Sequence, residues 1–479
     1  MSERLGTQLF SACDRYAETL ALEDLSRRSS YAELGAGARA ISTNLRSLSL
    51  LANEPVLVAA ANESQDIISF LGVWAAGGVV VPVDCGAPAA ALEARRAAVG
   101  ARLMISANGE IMRLGEHPAP PARPLLEDAA LIIFTSGSTG APKGVVLGHA
   151  AFARKLAEID SVLGFSSDTR ALLVLRTTFV FGIWFSLLTL LKGGSVFMCQ
   201  RFDPVAVMAD LADHRITDVA FVPTMLRRIL AVDPALVSPF IERLVLDRIH
   251  TGGEPFSPAL GERVWALLPN ASITDIYGLT ETASSDFFQV AGKRGPFPSG
   301  IGRISNSEKF RIADALGREM PAGEVGELQI LTPFIMNGYL DRPDLTQAAF
   351  AGDYFRTGDM ARRRADGTVE LVGRNKDLIM RAGTKISPLE LDGLIAQHPA
   401  VAAALTVGVA DDVTGERIHV LVVPRAEASV DERELRRWVA ERLERFKRPD
   451  VYHFGSELPT GSTGKVDRDA LRQSIGKAR

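Results

Sequence analysis

Cysteines, an excess of charge of one sign and long apolar runs are all scarce in this sequence of 479 residues. Its three cysteines, Cys13, Cys85 and Cys199, lie far apart and form no CxxC pair, which excludes a disulfide framework. A formal net charge of -4 gives no electrostatic reason to expect nucleic acid as a partner. The longest strongly apolar run, residues 179–191, is shorter than the roughly 20 residues that a membrane-spanning helix needs.

What is present is the composition of a globular protein, with 47% hydrophobic and 23% charged residues. The length exceeds that of one ordinary core and predicts two or more domains. The first residues have neither the apolar stretch nor the cleavage site of a signal peptide. We therefore expect a cytoplasmic protein without a membrane partner.

Apolar strand patterns alternate with helix patterns through the first 320 or so residues. Residues 56–60, 64–76 and 79–81 read as a strand, a helix and a second strand, and the same rhythm recurs from 172 to 222. Such alternation predicts α/β layers with parallel sheets. Gly35-Ala-Gly37-Ala-Arg-Ala40 is no dinucleotide fingerprint, because the capping box from Ser30 to Glu33 places it inside a helix.

The pattern changes after about residue 323. The segments 327–331, 360–364 and 368–372 predict antiparallel strands, the last two joined through Asp366-Gly367. A helix capped by Ser387, strands at 402–409 and 418–423, and a charged helix at 432–446 follow. We predict an α/β protein in which residues 1–375 form layered α/β subdomains plus a small β-rich subdomain. Residues 376–479 form a small mobile α+β domain.

A glycine- and hydroxyl-rich loop directly follows the apolar run 131–134. Its glycines let backbone N–H groups approach an anion, its hydroxyls add donors, and Lys143 adds positive charge, so the loop favours phosphate binding. The residues expected to bind phosphate are Thr135, Ser136, Gly137, Ser138, Thr139, Gly140 and Lys143. A P-loop of NTPases is excluded, because no stretch has its spacing; the nearest, before Gly464-Lys465, has Pro459 at the first glycine position.

The loop instead resembles the phosphate loop of the adenylate-forming enzyme superfamily. This superfamily contains acyl- and aryl-CoA synthetases, luciferases and adenylation domains of nonribosomal peptide synthetases. Further motifs resemble the family's in the same order along the chain. The first are Thr251-Gly252-Gly253-Glu254, which in the family borders the adenine and the acyl pocket, and Ile276-Tyr277-Gly278-Leu279-Thr280-Glu281.

The resemblance implies a role for each matching residue. Tyr277 would pack on adenine, Thr280 would bond a phosphate, and Glu281 would help to hold Mg²⁺. Asp359 would accept both ribose hydroxyls, with Arg374 near the ribose and phosphate. The other residues that the resemblance places at the nucleotide are Gly253, Glu254, Ile276 and Gly278.

Three further positions match the family's moving parts. Lys465 lies on a glycine-flanked loop that resembles the motif whose lysine completes the adenylation site. Lys376 would be the pivot between the domains. Gly383 would leave room for a pantetheine arm, because a side chain there would block a close approach.

The resemblance implies two half-reactions that use ATP and Mg²⁺. An acid's carboxylate first attacks the α-phosphorus of ATP and displaces pyrophosphate, with Lys143, Thr280, Glu281 and Lys465 as catalytic residues. The small domain then turns, and a thiol attacks the acyl-adenylate. The thiol comes from CoA, which is slightly favoured, or from a separate phosphopantetheinyl carrier protein.

The acid is expected to be an uncharged aryl or short-to-medium acyl acid. Amino-acid adenylation domains carry an aspartate where this chain has Gly182, and an unpaired ammonium in an apolar pocket would be costly. The expected pocket residues are Phe181, Gly182, Ile183, Ser186, Thr251, Ile276, Ser284 and Ser285. Two other classes stay open: a luciferase-like oxygenase, which needs oxygen and no thiol, and a noncatalytic nucleotide-binding homologue.

Overall fold

The structure of the protein is a computed structural model. It describes residues 4–115, 123–135, 142–293, 296–374, 376–381, 384–411, 413–425, 428, 430–461 and 465–477. Helices and strands alternate at first, and strands dominate later. The helices are α1 (Leu5–Arg15), α2 (Tyr31–Ser47), α3 (Ser64–Ala76), α4 (Ala89–Val99), α5 (His149–Leu163), α6 (Val180–Leu191), α7 (Pro204–Asp213), α8 (Pro223–Ile229), α9 (Pro234–Ile241), α10 (Pro258–Leu267), α11 (Pro343–Ala348), α12 (Pro388–Ile395), α13 (Glu432–Ala440) and α14 (Arg468–Lys477). The strands are β1 (Leu20–Glu23), β2 (Arg28–Ser30), β3 (Pro55–Ala60), β4 (Val79–Asp84), β5 (Leu103–Ile105), β6 (Ile111–Arg113), β7 (Ala129–Thr135), β8 (Lys143–Gly148), β9 (Arg170–Leu173), β10 (Ser195–Met198), β11 (Asp218–Phe221), β12 (Arg248–Gly252), β13 (Ser272–Tyr277), β14 (Phe287–Ala291), β15 (Arg303–Ile304), β16 (Lys309–Ala313), β17 (Val325–Leu331), β18 (Gly338–Tyr339), β19 (Phe350–Ala351), β20 (Tyr354–Arg363), β21 (Val369–Arg374), β22 (Ile379–Arg381), β23 (Thr384–Ile386), β24 (Val401–Asp411), β25 (Gly415–Pro424) and β26 (Val451–Phe454).

The first βαβ unit has the form predicted from the sequence. Strands β3 and β4 pair in parallel, and α3 connects them. All six residues of β3 are buried, as expected for a strand covered on both faces. Helix α2 begins with a complete capping box, in which the Ser30 hydroxyl accepts from the Glu33 N–H and the Glu33 carboxylate accepts from the Ser30 N–H. Gly35 and Gly37 therefore lie inside a helix, as predicted.

Two large sheets form the main body. A seven-stranded sheet has the order β18-β8-β7-β4-β3-β5-β6, and a nine-stranded sheet has the order β15-β14-β13-β12-β11-β9-β10-β1-β2. Strands β11, β12 and β13 pair in parallel. Their carboxyl ends therefore meet at one edge, where an α/β sheet offers a ligand crevice.

The β-rich part is an antiparallel sheet of five strands. Its order is β16-β17-β20-β19, with β21 beside β20. The hairpin β20–β21 turns at Gly367, whose φ of +82° lies in the left-handed region. The antiparallel strands predicted after residue 323 are confirmed.

Strands β22 to β26 form a fourth sheet, separate from the other three, and α12, α13 and α14 pack against it. Ser387 caps α12 by accepting from the Glu390 N–H, as predicted. The predicted helix 432–446 is too long, because α13 ends at Ala440. The Arg448 guanidinium donates to the Ala440 and Leu443 carbonyls, which takes the place of further helical bonds.

The predicted fold class, layered α/β with parallel sheets, a β-rich part and a C-terminal α+β part, is confirmed. The described parts of the chain contain no helix that combines the length and the apolar character needed to cross a bilayer.

Candidate active site

The predicted phosphate loop connects two paired strands. Thr135 ends β7 directly opposite Lys143, the first residue of β8. Ser136, Gly137, Ser138, Thr139 and Gly140 lie outside the described residues, so their role remains a prediction. The Lys143 ammonium lies 5.1 Å from the centre of the Tyr339 ring.

Tyr339 links the phosphate loop to the predicted metal ligand. Its hydroxyl donates to Glu281 Oε1 at 2.9 Å, and the Met336 N–H donates to the Glu281 carbonyl. Sequence reasoning missed Tyr339, because it reaches the site only through the pairing of β18 with β8. Thr280 and Glu281 stand together on a 3₁₀ turn, Thr280–Thr282, that follows β13.

Three predicted nucleotide residues from separate parts of the chain meet at one carboxylate. The Tyr277 hydroxyl donates to Asp359 Oδ2 at 2.6 Å, and Arg374 Nε donates to Asp359 Oδ1 at 3.1 Å. Asp359 and Arg374 face each other across β20 and β21. Burial raises the pKa of Asp359, and Arg374 opposes that shift. The carboxylate is therefore held by two donors in a largely dry setting.

Lys465 reaches the same edge of the sheet from the C-terminal part of the chain. A Cβ placed on Gly253 would lie 2.7 Å from Lys465 Nζ, and the Val466 N–H donates to Glu254 Oε1 at 3.0 Å. Removal from water lowers the pKa of Lys465; Glu254 opposes this shift, and Arg374 adds to it. The Gly-Gly-Glu turn and the predicted catalytic lysine are thus in contact.

Of the two residues predicted to serve the second half-reaction, only Lys376 lies within the described residues. The Lys376 ammonium lies 3.6 Å from Asp469 Oδ2 on α14. Gly383 lies outside the described residues. The hinge and thiol-tunnel roles of both residues remain predictions.

Two of the predicted pocket residues, Phe181 and Ile276, lie beside Gly252 at the ends of β12 and β13. Gly252 stands opposite Ile276, and a Cβ on Gly252 would lie 3.4 Å from the Phe181 ring. Phe181 stacks on Trp184 with ring centres 5.2 Å apart. The Ser284 and Ser285 hydroxyls lie 3.2 Å from each other, beyond the end of β13.

Two predicted pocket residues differ from this group. Thr251 pairs with Asp275, and successive side chains of a strand point to opposite faces, so Thr251 lies on the face opposite Ile276. Thr251 lies on the same face of the sheet as Asp275 and Tyr277, whereas Ile276 lies on the other face. The buried Ser186 hydroxyl donates to carbonyls of its own helix, those of Gly182 and Ile183. Helix α6 therefore uses this hydroxyl here, and the role of Ser186 in the pocket remains a prediction.

Asp275 is a further residue that the motif matches did not include. It is buried in β13 with Oδ1 lacking a hydrogen-bond partner, and burial raises its pKa well above the usual range. It stands two residues before Tyr277 and therefore on the same face. An ionisable residue between the apolar Ile273 and Ile276, two residues before the motif tyrosine, is the signal that could have identified it.

Gly278 serves the geometry of the turn that follows. A Cβ at this position would lie 2.1 Å from the Ser285 backbone nitrogen. Ala283, Ser284 and Ser285 all have left-handed backbone conformations, with φ of 59°, 73° and 60°. The glycine therefore permits the left-handed run to fold back on the end of β13.

Two family models cover most of the chain. The model described as AMP-binding enzyme matches residues 9–340, and the model described as AMP-binding enzyme C-terminal domain matches residues 390–465. The chain belongs to the AMP-binding enzyme family. This membership confirms the resemblance to adenylate-forming enzymes that the motifs indicated.

The chain is also similar to individual enzymes that activate carboxylic acids as thioesters. A feruloyl-CoA synthase from an Amycolatopsis species is 31% identical over 93% of this chain and 94% of its own length. A fatty acid–acyl-carrier-protein ligase from Streptomyces coeruleorubidus is 31% identical over 74% of this chain and 68% of its own. The crystal structure of a benzoate CoA ligase from Burkholderia xenovorans superimposes with a TM-score of 0.87 at 25% identity, covering 98% of this chain and 100% of that one.

Proposed function

We propose that the protein is an AMP-forming acid–thiol ligase. It activates a carboxylic acid with ATP as acyl-AMP, releases pyrophosphate, and passes the acyl group to a phosphopantetheine thiol. The single observation that carries this proposal is the approach of Lys465 to Gly253 and Glu254, beside the Tyr277–Asp359–Arg374 cluster. This contact supports the proposal, because it brings a cation from the C-terminal part to a turn that is proposed to border the nucleotide.

The residues present fit a bound adenosine. The two oxygens of Asp359 suit the two ribose hydroxyls, which would replace or share the present donors. The Tyr277 ring offers a face for the base. Asp275, with an oxygen that lacks a partner, supplies an acceptor on the Tyr277 face for a donor such as the adenine amino group.

A single carboxylate, Glu281, is the candidate ligand for Mg²⁺. No group of three or more His, Cys, Asp or Glu side chains in the described residues could hold a metal. This fits Mg²⁺, which usually binds one or two carboxylates together with substrate phosphates. When bound, Mg²⁺ would neutralise charge on the phosphates. Tyr339 would help to orient Glu281 for this role, because its hydroxyl donates to the Glu281 carboxylate.

The chain's own residues then serve the first half-reaction. Lys143 and the loop after Thr135 would hold the leaving pyrophosphate, while Lys465 would contact both the attacking carboxylate and the α-phosphate. For the second half-reaction we propose that residues 376–479 turn about Lys376. This movement withdraws Lys465 and brings the segment around Gly383 to the site for the thiol.

The proposed acid is an uncharged aryl or short-to-medium acyl acid. Phe181, Trp184 and Ile276 give the pocket face an apolar, partly aromatic character, and Gly182 supplies no counter-ion for an ammonium. Relatives that act on feruloyl and benzoate groups support the aryl choice. The same two relatives use CoA and support it as the acceptor, whereas the carrier-protein ligase supports the alternative of a carrier protein.

A product assay tests this function. The protein is incubated with ATP, Mg²⁺ and one acid, with CoA in one arm and a phosphopantetheinylated carrier protein in the other, and AMP and thioester are measured. Equal amounts of AMP and aryl or acyl thioester are expected. AMP release without a thiol, accompanied by oxygen consumption, would instead indicate the luciferase-like alternative. Thioester formed only from amino acids would contradict the proposed acid.

Replacing Gly253 by alanine is expected to slow adenylate formation by about 100-fold, because the new methyl would displace Lys465 Nζ. The matched control is Gly317→Ala. Gly317 has a nearly equal φ, +78° against +79°, but has open space around its Cβ position. Initial rates of acyl-AMP formation check the prediction. Equal rates in the two variants would contradict the prediction, because only the Gly253 substitution displaces the lysine.

A further inference from the structure

Three charged side chains form a fully buried cluster behind the candidate site. Lys155 on α5 places its ammonium 2.8 Å from Asp286 Oδ1 and 2.8 Å from Glu308 Oε1. None of the three side chains is exposed by more than a few per cent. Burying three charges is costly even when they are paired, and well-packed apolar residues would often be at least as stable. Stability alone therefore does not explain the cluster.

The cluster closes the strained turn that follows the Thr280–Thr282 turn. Asp286 comes directly after the left-handed run Ala283–Ser285, and three consecutive non-glycine residues in this conformation are strained. The Thr282 hydroxyl, which precedes the run, donates to Asp286 Oδ2 at 2.5 Å. The Asp286 N–H donates to the Tyr277 carbonyl at 2.8 Å. Asp286 thus joins both ends of the run to each other and to β13.

A second path leads from the cluster to the other side of Glu281. Glu308 accepts from the Thr332 hydroxyl at 2.6 Å, and Thr332 Oγ1 accepts from the Phe334 N–H. The segment that continues from Phe334 contains Met336, whose N–H donates to the Glu281 carbonyl, and Tyr339, whose hydroxyl donates to its carboxylate. One chain of hydrogen bonds runs from Lys155 through Asp286 to Thr282, the neighbour of Glu281 in the sequence. The other runs from Lys155 through Glu308 to Thr332 and the segment that bonds Glu281.

We propose that Lys155, Asp286 and Glu308 are positioning residues that fix Thr280 and Glu281 for the adenylation half-reaction. This inference rests on the proposed function of the site. Burial and the neighbouring Glu308 raise the pKa of Asp286, while Lys155 opposes the shift.

The first test removes one hydroxyl. Thr282→Val deletes the bond to Asp286, together with the hydroxyl's contacts to the Leu279 backbone, at nearly constant volume. Thr282→Ser keeps these bonds, and Thr189→Val is the control. Thr189 is also fully buried, but its hydroxyl donates only within α6, to the Phe185 carbonyl. The measurements are acid-dependent pyrophosphate exchange, thioester formation from supplied acyl-adenylate, the Mg²⁺ concentration that half-saturates ATP binding, and the melting temperature.

Thr282→Val is expected to lower the exchange rate about tenfold and raise the half-saturating Mg²⁺ concentration, with thioester formation within about twofold of wild type. Thr282→Ser should restore both values. Loss of melting temperature should match that of Thr189→Val. Exchange and Mg²⁺ dependence that stay at the Thr189→Val values would overturn the positioning role.

Asp286 gives a second, independent comparison. Asparagine keeps an oxygen that accepts from Lys155, and its amide N–H can donate to the Thr282 hydroxyl oxygen, which reverses the bond that the carboxylate accepts from Thr282. Asp286→Asn should therefore retain exchange within about threefold, whereas Asp286→Ala should lose it. Equal loss in both variants, with melting temperatures unchanged, would overturn the proposal. No exchange by the wild-type protein with any acid would instead contradict the proposed function. The Mg²⁺ dependence of ATP binding would then still test the positioning role.

Discussion

Lys465→Ala is expected to reduce acyl-AMP formation by about 100- to 1,000-fold while thioester formation from supplied acyl-adenylate stays within a few-fold of wild type. The lysine meets the site beside Gly253 and Glu254, where its charge would offset that developing on the attacked phosphate. That contribution is made only in the first half-reaction. Separate single-turnover assays of the two half-reactions give the two rates.

Lys447→Ala is the matched control for this prediction. Lys447 also lies in the C-terminal part, and its ammonium bonds the Glu390 carboxylate 2.8 Å away. Its loss removes one cation from the same region without touching the site. If Lys465→Ala slowed both half-reactions equally, the lysine would be a structural residue rather than the catalytic group of one step.

Asp359→Ala is expected to raise the KM for ATP by about 100-fold, or about 2.7 kcal/mol, with little change in the KM for the acid. The substitution removes the acceptor proposed for the ribose hydroxyls. It also leaves the Tyr277 hydroxyl without its acceptor and Arg374 without its ion pair. Steady-state kinetics with each substrate varied in turn measures both constants.

Two variants control for the loss of charge and for general damage. Asp359→Asn keeps one acceptor oxygen and should give an intermediate KM for ATP. Asp366→Ala removes an exposed carboxylate from the turn of the same β20–β21 hairpin and should behave as wild type. An Asp359→Ala protein with an unchanged KM for ATP would show that the nucleotide binds elsewhere.

Local signals in the sequence were sufficient to predict much of the fold. The capping box at Ser30 and the buried run of β3 act within a few residues, and both elements form as predicted. The end of α13 was not predictable in this way. It depends on Arg448, which lies beyond the helix and donates to the carbonyl of its last residue, Ala440, and to that of Leu443.

In the candidate site, too, residues in local motifs were predictable and residues joined by long-range packing were not. Motif residues such as Tyr277, Asp359 and Lys465 were predicted and come together in the structure. Tyr339 and the Lys155 cluster were not, because Lys155 is separated by 131 residues from Asp286 and by 153 from Glu308. Such contacts depend on how sheets and helices pack, and no motif with a fixed residue spacing predicts them.

Acid-dependent exchange of labelled pyrophosphate into ATP, without any thiol, tests the central claim most directly. It reports reversible formation of acyl-AMP and nothing later. Aryl, fatty, hydroxy and amino acids are supplied as separate pools to protein shown to bind ATP. Exchange with the aryl or acyl pool, lost in Lys465→Ala, is the predicted result. ATP binding without exchange in any pool would contradict the assignment of this site to acid adenylation.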